Sequence, residues 1–317
     1  LHKVIFDTDP GIDDAMALLF LHQHPQVDLV GITTVFGNGT IDTTTHNALY
    51  LKDVWNISAP VAKGAGVTLN PQRPAGEPPR MVHGDNALGN VEVPEATLSQ
   101  PDGRSAHRFI IDMVRADPGE ITIIAVGRMT NLALALREDP GIAGLVKQVI
   151  IMGGAFTVPG NVTPVAEANI WGDPEAADAV FTAPWKLVVV GLDVTMQTAM
   201  SRSHLAGLAA RGGRRVELLA AISDFYIDFY SRFVDNAMVI HDSCACVYLV
   251  APELFQTRSG AMRVVTDGIA IGQTIQKPDD RFFPPSPWDN HPSQLACVGI
   301  EVKKVLELID HTLAPQA

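Results

Sequence analysis

Four aspartates fall within eight residues near the start of the chain, in the stretch Val4-Ile5-Phe6-Asp7-Thr8-Asp9-Pro10-Gly11-Ile12-Asp13-Asp14. Two unit charges about 5 Å apart repel by roughly 3 kcal/mol at an effective dielectric of about 20, so the cluster asks for a common partner. A helix N-terminus offsets part of that repulsion. A hard cation offsets more, and carboxylate-rich oxygen sites suit Ca²⁺ or Mg²⁺. The plainer alternative is that Asp13 caps a helix and the other acids face water.

Other polar groups gather at a few points further along. Asn38 stands between Gly37 and Gly39, where a sharp turn would present it at a strand end, although Asn is also an ordinary turn residue. His83, in Met81-Val82-His83-Gly84-Asp85-Asn86, is a surface histidine by default unless its loop folds over the acids. Asn161, Glu167 and Asn169 follow Gly153-Gly154 and Gly160, and their amides and carboxylate can hold several hydroxyls, which suits a sugar; a surface loop with capping side chains would use the same residues. His241-Asp242 interrupts an apolar run that continues as a helix over 245–250. Tyr226 and Tyr230 lie at i, i+4 on one helix face, either as core or as walls for a planar ring.

The elements that must position these groups read as an α/β alternation. Continuous apolar runs at 4–6, 29–35, 120–126, 147–152 and 186–191, with a short one at 60–62, predict strands. Helices are predicted from Asp13 to 22 and over 41–55, 105–116, 130–138 and 174–182. Strands buried on both faces and separated by helices imply an open, mostly parallel central sheet with helices on both faces, whose carboxyl edge binds ligands. Residues 64–104, rich in Gly, Pro, Asn and Asp, predict a long irregular, flap-like segment. No repeat or linker divides the chain, so 1–317 is expected to be a single catalytic domain.

Composition narrows the partners. A formal net charge of −12 with no basic run argues against nucleic acid or an anionic membrane and favours a free small molecule. Cys244, Cys246 and Cys297 have no metal-ligand spacing and leave one thiol unpaired in any disulfide scheme, which suits a reducing cytoplasm. Neither a basic-apolar leader nor an apolar span of about 18 residues is visible, so export or membrane anchoring is not expected.

With all nodes in view, the chain resembles the inosine-uridine-preferring nucleoside hydrolases. The resemblance spans nearly the whole length and is carried by Asp7-Thr8-Asp9-Pro10-Gly11-Ile12-Asp13-Asp14, Phe36-Gly37-Asn38, Val82-His83-Gly84, Met152-Gly153-Gly154, Val165-Ala166-Glu167-Ala168-Asn169 and His241-Asp242, in that order. It implies Ca²⁺ held by Asp9, Asp14, Asp242 and the main-chain carbonyl of Val126, where the family commonly has threonine. It also implies that Asp13, Asn38, Asn161, Glu167, Asn169 and Asp242 hold ribose hydroxyls; His83, Tyr226 and Tyr230 are further substrate-binding candidates. The flap departs from the family pattern at Asp85-Asn86-Ala87-Leu88-Gly89, which leaves base preference open. A homo-dimer or homo-tetramer is the family's usual assembly.

The implied reaction cleaves the bond between ribose and base through an oxocarbenium-like state, with Asp9 as the base that activates water and His241 as the acid that protonates the departing base. Two other readings compete. A haloacid-dehalogenase-like phosphatase would use Gly172-Asp173 and Asp178 for Mg²⁺, but Pro10-Gly11 stands where that family expects a small or hydroxylated residue. A non-catalytic Ca²⁺-dependent nucleoside or ribose binder would leave Asp9 and His241 idle.

Overall fold

The protein, described over residues 1–315 by a computed structural model, is organised by the apolar strands of its first two thirds. These are β1 (His2–Thr8), β2 (Val27–Thr34), β3 (Val61–Ala62), β4 (Ile121–Ala125), β5 (Gln148–Met152) and β6 (Leu187–Val190). Side chains alternate between faces along a strand, and each face finds its own core. Val4 and Phe6 of β1, Ile124 of β4 and Ile150 of β5 point into one cluster. Ile5, Ile123, Val149 and Ile151 point into the other. Helices Ile12–Gln23, Arg214–Tyr230, His241–Val250 and Val302–Leu313 cover the first face, and Ala106–Ala116, Thr130–Glu138 and Pro174–Phe181 cover the second.

Three late strands, β9 (Phe255–Val264), β10 (Thr274–Pro278) and β11 (Ser293–Ile300), complete a nine-stranded sheet of order β10-β9-β11-β6-β5-β4-β1-β2-β3. The pairs from β3 to β11 are parallel, and β9 runs antiparallel to both β11 and β10. One sheet therefore ties the end of the chain to its start. β7 (Ala199–Ser201) and β8 (Ala237–Val239) form a separate antiparallel pair.

After β1 the chain builds outward through β2 and β3, then returns to lay β4 on β1's other side. That reversal opens a crevice beyond the carboxyl ends of β1 and β4, where Asp9 and Val126 emerge. The predicted elements are found within one or two residues, with one consequential difference: the helix expected over 245–250 begins at His241. Asp242 thus sits in its first turn, where the helix dipole favours a carboxylate. Residues 64–104 are irregular apart from the single turn Arg80–His83.

Candidate active site

The chain between β1 and helix Ile12–Gln23 is folded tightly around its own acids. Asp14 turns back from the helix to accept hydrogen bonds from the Thr8 hydroxyl at 2.5 Å, the Gly11 N–H at 3.0 Å and the Asn38 amide at 3.0 Å. Asp9 Oδ2 accepts the Asn38 backbone N–H at 2.7 Å, while its buried Oδ1 has no protein partner. A Cβ on Gly37 would lie 2.0 Å from Asp9 Oδ2, and one on Gly127 would lie 2.7 Å from Oδ1. Only glycine lets both turns close on this carboxylate. Asn38 is therefore more than a turn residue: its main chain holds Asp9 and its side chain holds Asp14.

Oxygens of Asp13, Asp14 and Asp242 lie within 4.8 Å of one another. Burial raises the proton affinity of Asp9, Asp13, Asp14 and Asp242, and the neighbouring acids push Asp9, Asp13 and Asp242 up further. A cation would relieve both effects. An all-oxygen donor set with one buried carboxylate oxygen lacking a partner fits a hard divalent ion and not a soft one. Asp7 departs from the expectation of four acids sharing a partner. Its Oδ2 accepts from Thr33 at 2.6 Å and Asn131 at 2.8 Å, and burial pushes its carboxyl up to about 7.

Over these acids lies a cavity of about 420 Å³, within the range of small-molecule sites. Asp13, Asn38, His83, Val126, Asn161, Glu167, Asn169, Tyr226, Tyr230, His241 and Asp242 all line it, with Asp9 and Asp14 packed behind Asn38. Asn169 donates to the Val126 carbonyl at 2.7 Å, so these two site groups are in direct contact. Glu167 serves twice. It caps the helix Ala168–Gly172, accepting from Asn169 and Ile170, also accepts from the Gly154 N–H at 3.0 Å, and still faces the cavity.

The default surface position for His83 is overturned. The flap folds over the acids, His83 is buried, its Nδ1 accepts the Ile12 N–H at 3.3 Å, and its ring stacks on Tyr226 at 5.2 Å. Burial pushes the imidazole down to about 3, so it is neutral at pH 7. His241 is held at both nitrogens, by the Thr195 hydroxyl on Nδ1 and the Tyr230 hydroxyl on Nε2, each at 2.8 Å. Burial lowers it to about 4, so this ring too is neutral at pH 7 and any proton it delivers must be replaced through its neighbours. The tyrosines are both core and cavity wall.

Sequence reasoning missed Phe229 and Phe233 on the cavity wall, although they stand three and seven residues after Tyr226 and helical spacing would have found them. Thr195 carried no such signal, because only the fold brings the segment after β6 to His241. The phosphatase reading loses its residues. Asp173 accepts from the Leu69 N–H, the Thr130 hydroxyl and the Ala176 N–H, and Asp178 is bound to Arg263, so both carboxylates serve the scaffold.

Buried carboxylates thus form the floor of a cavity whose wall carries amide and carboxylate groups, and comparison with known proteins identifies the class. The profile of the inosine-uridine preferring nucleoside hydrolases matches residues 4–307. Uridine nucleosidase 1 of Arabidopsis thaliana is 39% identical over 313 residues, covering 97% of this chain and 91% of that protein. A solved plant nucleoside hydrolase superposes with a TM-score of 0.93 at 38% identity, covering 99% of both chains. A purine-preferring ribonucleoside hydrolase from Gardnerella vaginalis superposes with a TM-score of 0.90 at 31% identity, covering 98% of both. The chain belongs to the inosine-uridine preferring nucleoside hydrolase family. It is an N-ribosyl hydrolase, an enzyme that cleaves ribonucleosides to base and ribose.

Proposed function

We propose that the enzyme is Ca²⁺-dependent and that its residues divide into a cation set, a ribose set and a leaving-group set. Asp9, Asp14, Asp242 and the Val126 carbonyl form the first, with Asp13 completing the acid cluster. A divalent cation bound there would acidify and position water and bind ribose hydroxyls. Asp9 is the base, because the Asn38 N–H fixes one of its oxygens and the other has no protein partner. Asn38, Asn161, Glu167 and Asn169, with Asp13 and Asp242, hold the hydroxyls, and the surrounding carboxylates favour the positive charge that develops on the sugar. His83, Tyr226, Tyr230 and His241 face the base, and His241 donates the proton that neutralises it.

The observation that carries this reading is the close set of Asp13, Asp14 and Asp242 oxygens on the floor of a cavity whose wall includes Asn161, Glu167 and Asn169. Loss of a substrate hydroxyl would strand buried polar groups, each costing about 1–3 kcal/mol. Ribonucleosides are therefore expected to exceed their 2′-deoxy counterparts by roughly 5- to 150-fold in kcat/KM, measured as released sugar across a nucleoside panel. Equal turnover would refute the ribose assignment. Among the described residues no lysine or arginine lines the cavity, so a 5′-phosphate finds no cation to pair with and three acids to repel it, and nucleoside monophosphates are expected neither to be cleaved nor to release phosphate.

The base-side wall, with Pro79, Val82, Phe229 and Phe233, is mostly apolar and accepts purine or pyrimidine. No helix among the described residues is long and apolar enough to cross a membrane, and the three cysteines are free and buried, as suits a cytoplasmic enzyme. The homo-dimer or homo-tetramer usual in the family is the expected assembly, to be measured by light scattering.

A further inference from the structure

Arg128 has no place in the chemistry above, yet it is 8% exposed and sits two residues beyond the Val126 carbonyl. Its guanidinium lies 4.3 Å from the centre of the Phe36 ring, and its Nη1 donates to the Ala75 carbonyl at 2.6 Å. A Cβ on Gly172 would lie 2.3 Å from its Nε, so the backbone there closes against the side chain. Phe36 itself is 3% exposed. A buried arginine is kept only where its charge and planar shape are matched, and here a ring face, a carbonyl and the nearby acids Asp9 and Asp173 provide the match.

The clasped residues are the immediate neighbours of the two glycines that grip Asp9. Phe36 precedes Gly37 and Arg128 follows Gly127, and these glycines pack against opposite oxygens of the same carboxylate. We propose that Arg128 is a positioning residue: by clasping Phe36 it holds the two glycine turns closed on Asp9 and so sets the affinity of the acid cluster for its divalent cation. This rests on the reading of Asp9 as a cation ligand. Groups that orient metal ligands from outside typically contribute about 10- to 100-fold in metal affinity.

The test is Ca²⁺ affinity by chelator competition for the wild type, Arg128→Met, Phe36→Leu, Arg128→Lys and the Arg128→Met/Phe36→Leu pair. Each single variant is expected to bind Ca²⁺ about 10- to 100-fold more weakly, and kcat at a fixed low Ca²⁺ concentration is expected to fall. The double variant should lose no more than the worse single one, because both remove the same clasp. Lysine should not rescue, since an ammonium does not stack as a guanidinium does. KM for a ribonucleoside at saturating Ca²⁺ should stay within about threefold, because Asn161 and Glu167 are untouched, whereas general destabilisation would lower the melting point without changing affinity per folded molecule. If Arg128 acted only as an opposing positive charge, Arg128→Met would bind Ca²⁺ more tightly and Phe36→Leu would be unchanged; that result, or additive losses, would overturn the clasp. Should Arg128→Met fail to fold, Phe36→Leu carries the test alone. Wild-type protein that binds no divalent cation would instead remove the underlying reading of the site.

Discussion

Protein stripped of its divalent cation is expected to lose at least about 10³-fold in kcat, since a cation at a reacting centre supplies several kcal/mol of charge stabilisation. The physical driver is the floor of the cavity. Asp9, Asp13, Asp14 and Asp242 are all buried, and burial and mutual repulsion raise each of the three that the neighbouring acids act on. Without a cation these carboxyls hold protons more tightly, and a protonated Asp9 cannot act as a base. Stability should follow the same ion: Ca²⁺ at a hundredfold excess over its Kd adds about 2.7 kcal/mol, visible as a higher melting temperature. Ca²⁺ should restore activity better than Mg²⁺, which demands six ligands at short octahedral distances, whereas a floor of several carboxylates and a carbonyl suits the larger, more flexible shell. Full activity in chelator-treated protein with no divalent ion by metal analysis would end the proposal.

Much of this architecture was legible because buried parallel strands announce themselves. β1, β4, β5 and β6 are built on short apolar, mostly buried runs, each reaching Asp or Gly within two residues of its carboxyl end, at the edge where ligands bind. The late strands were not read. Those of β9 and β11 mix buried and exposed positions, with Gln256 exposed and Arg258 and Gln294 hydrogen-bonded within the sheet, so neither period stands out. The position of His83 was illegible for a different reason. It depends on a flap with almost no regular structure being drawn over the acids, through Asn47 bonding both Pro10 and Asn86, and no local pattern encodes that contact. Arg128 likewise reads as an ordinary helix-flanking cation until Phe36 is brought beneath it by the pairing of β1 with β2 and β4.

His241→Ala should separate leaving-group chemistry from structure. The ring is fixed by Thr195 on one side and Tyr230 on the other, beside Asp242 on the cavity floor. Because hydroxyls take both ring nitrogens, the proposed acid is the imidazolium, a minor form while burial holds the ring near 4; its Nε2 proton would pass along the Tyr230 hydroxyl to the base and leave neutral imidazole behind. Loss of a general acid typically costs about 10²–10⁴-fold, and inosine, whose base leaves poorly as an anion, is expected to show that full loss in kcat. A riboside with an acidic leaving group, such as p-nitrophenyl riboside, needs no proton and should be cleaved by the same variant at close to the normal rate. Tyr230→Phe should reproduce the selective defect more mildly, since it removes the hydroxyl on Nε2 while leaving the imidazole in place. Thr195→Val, which frees Nδ1 without touching the cavity, should do so as well if ring orientation is what Thr195 supplies. Equal falls for both substrates in His241→Ala, together with weakened Ca²⁺ binding, would mean that His241 only props Asp242, and the proton would then come from His83 or Tyr226.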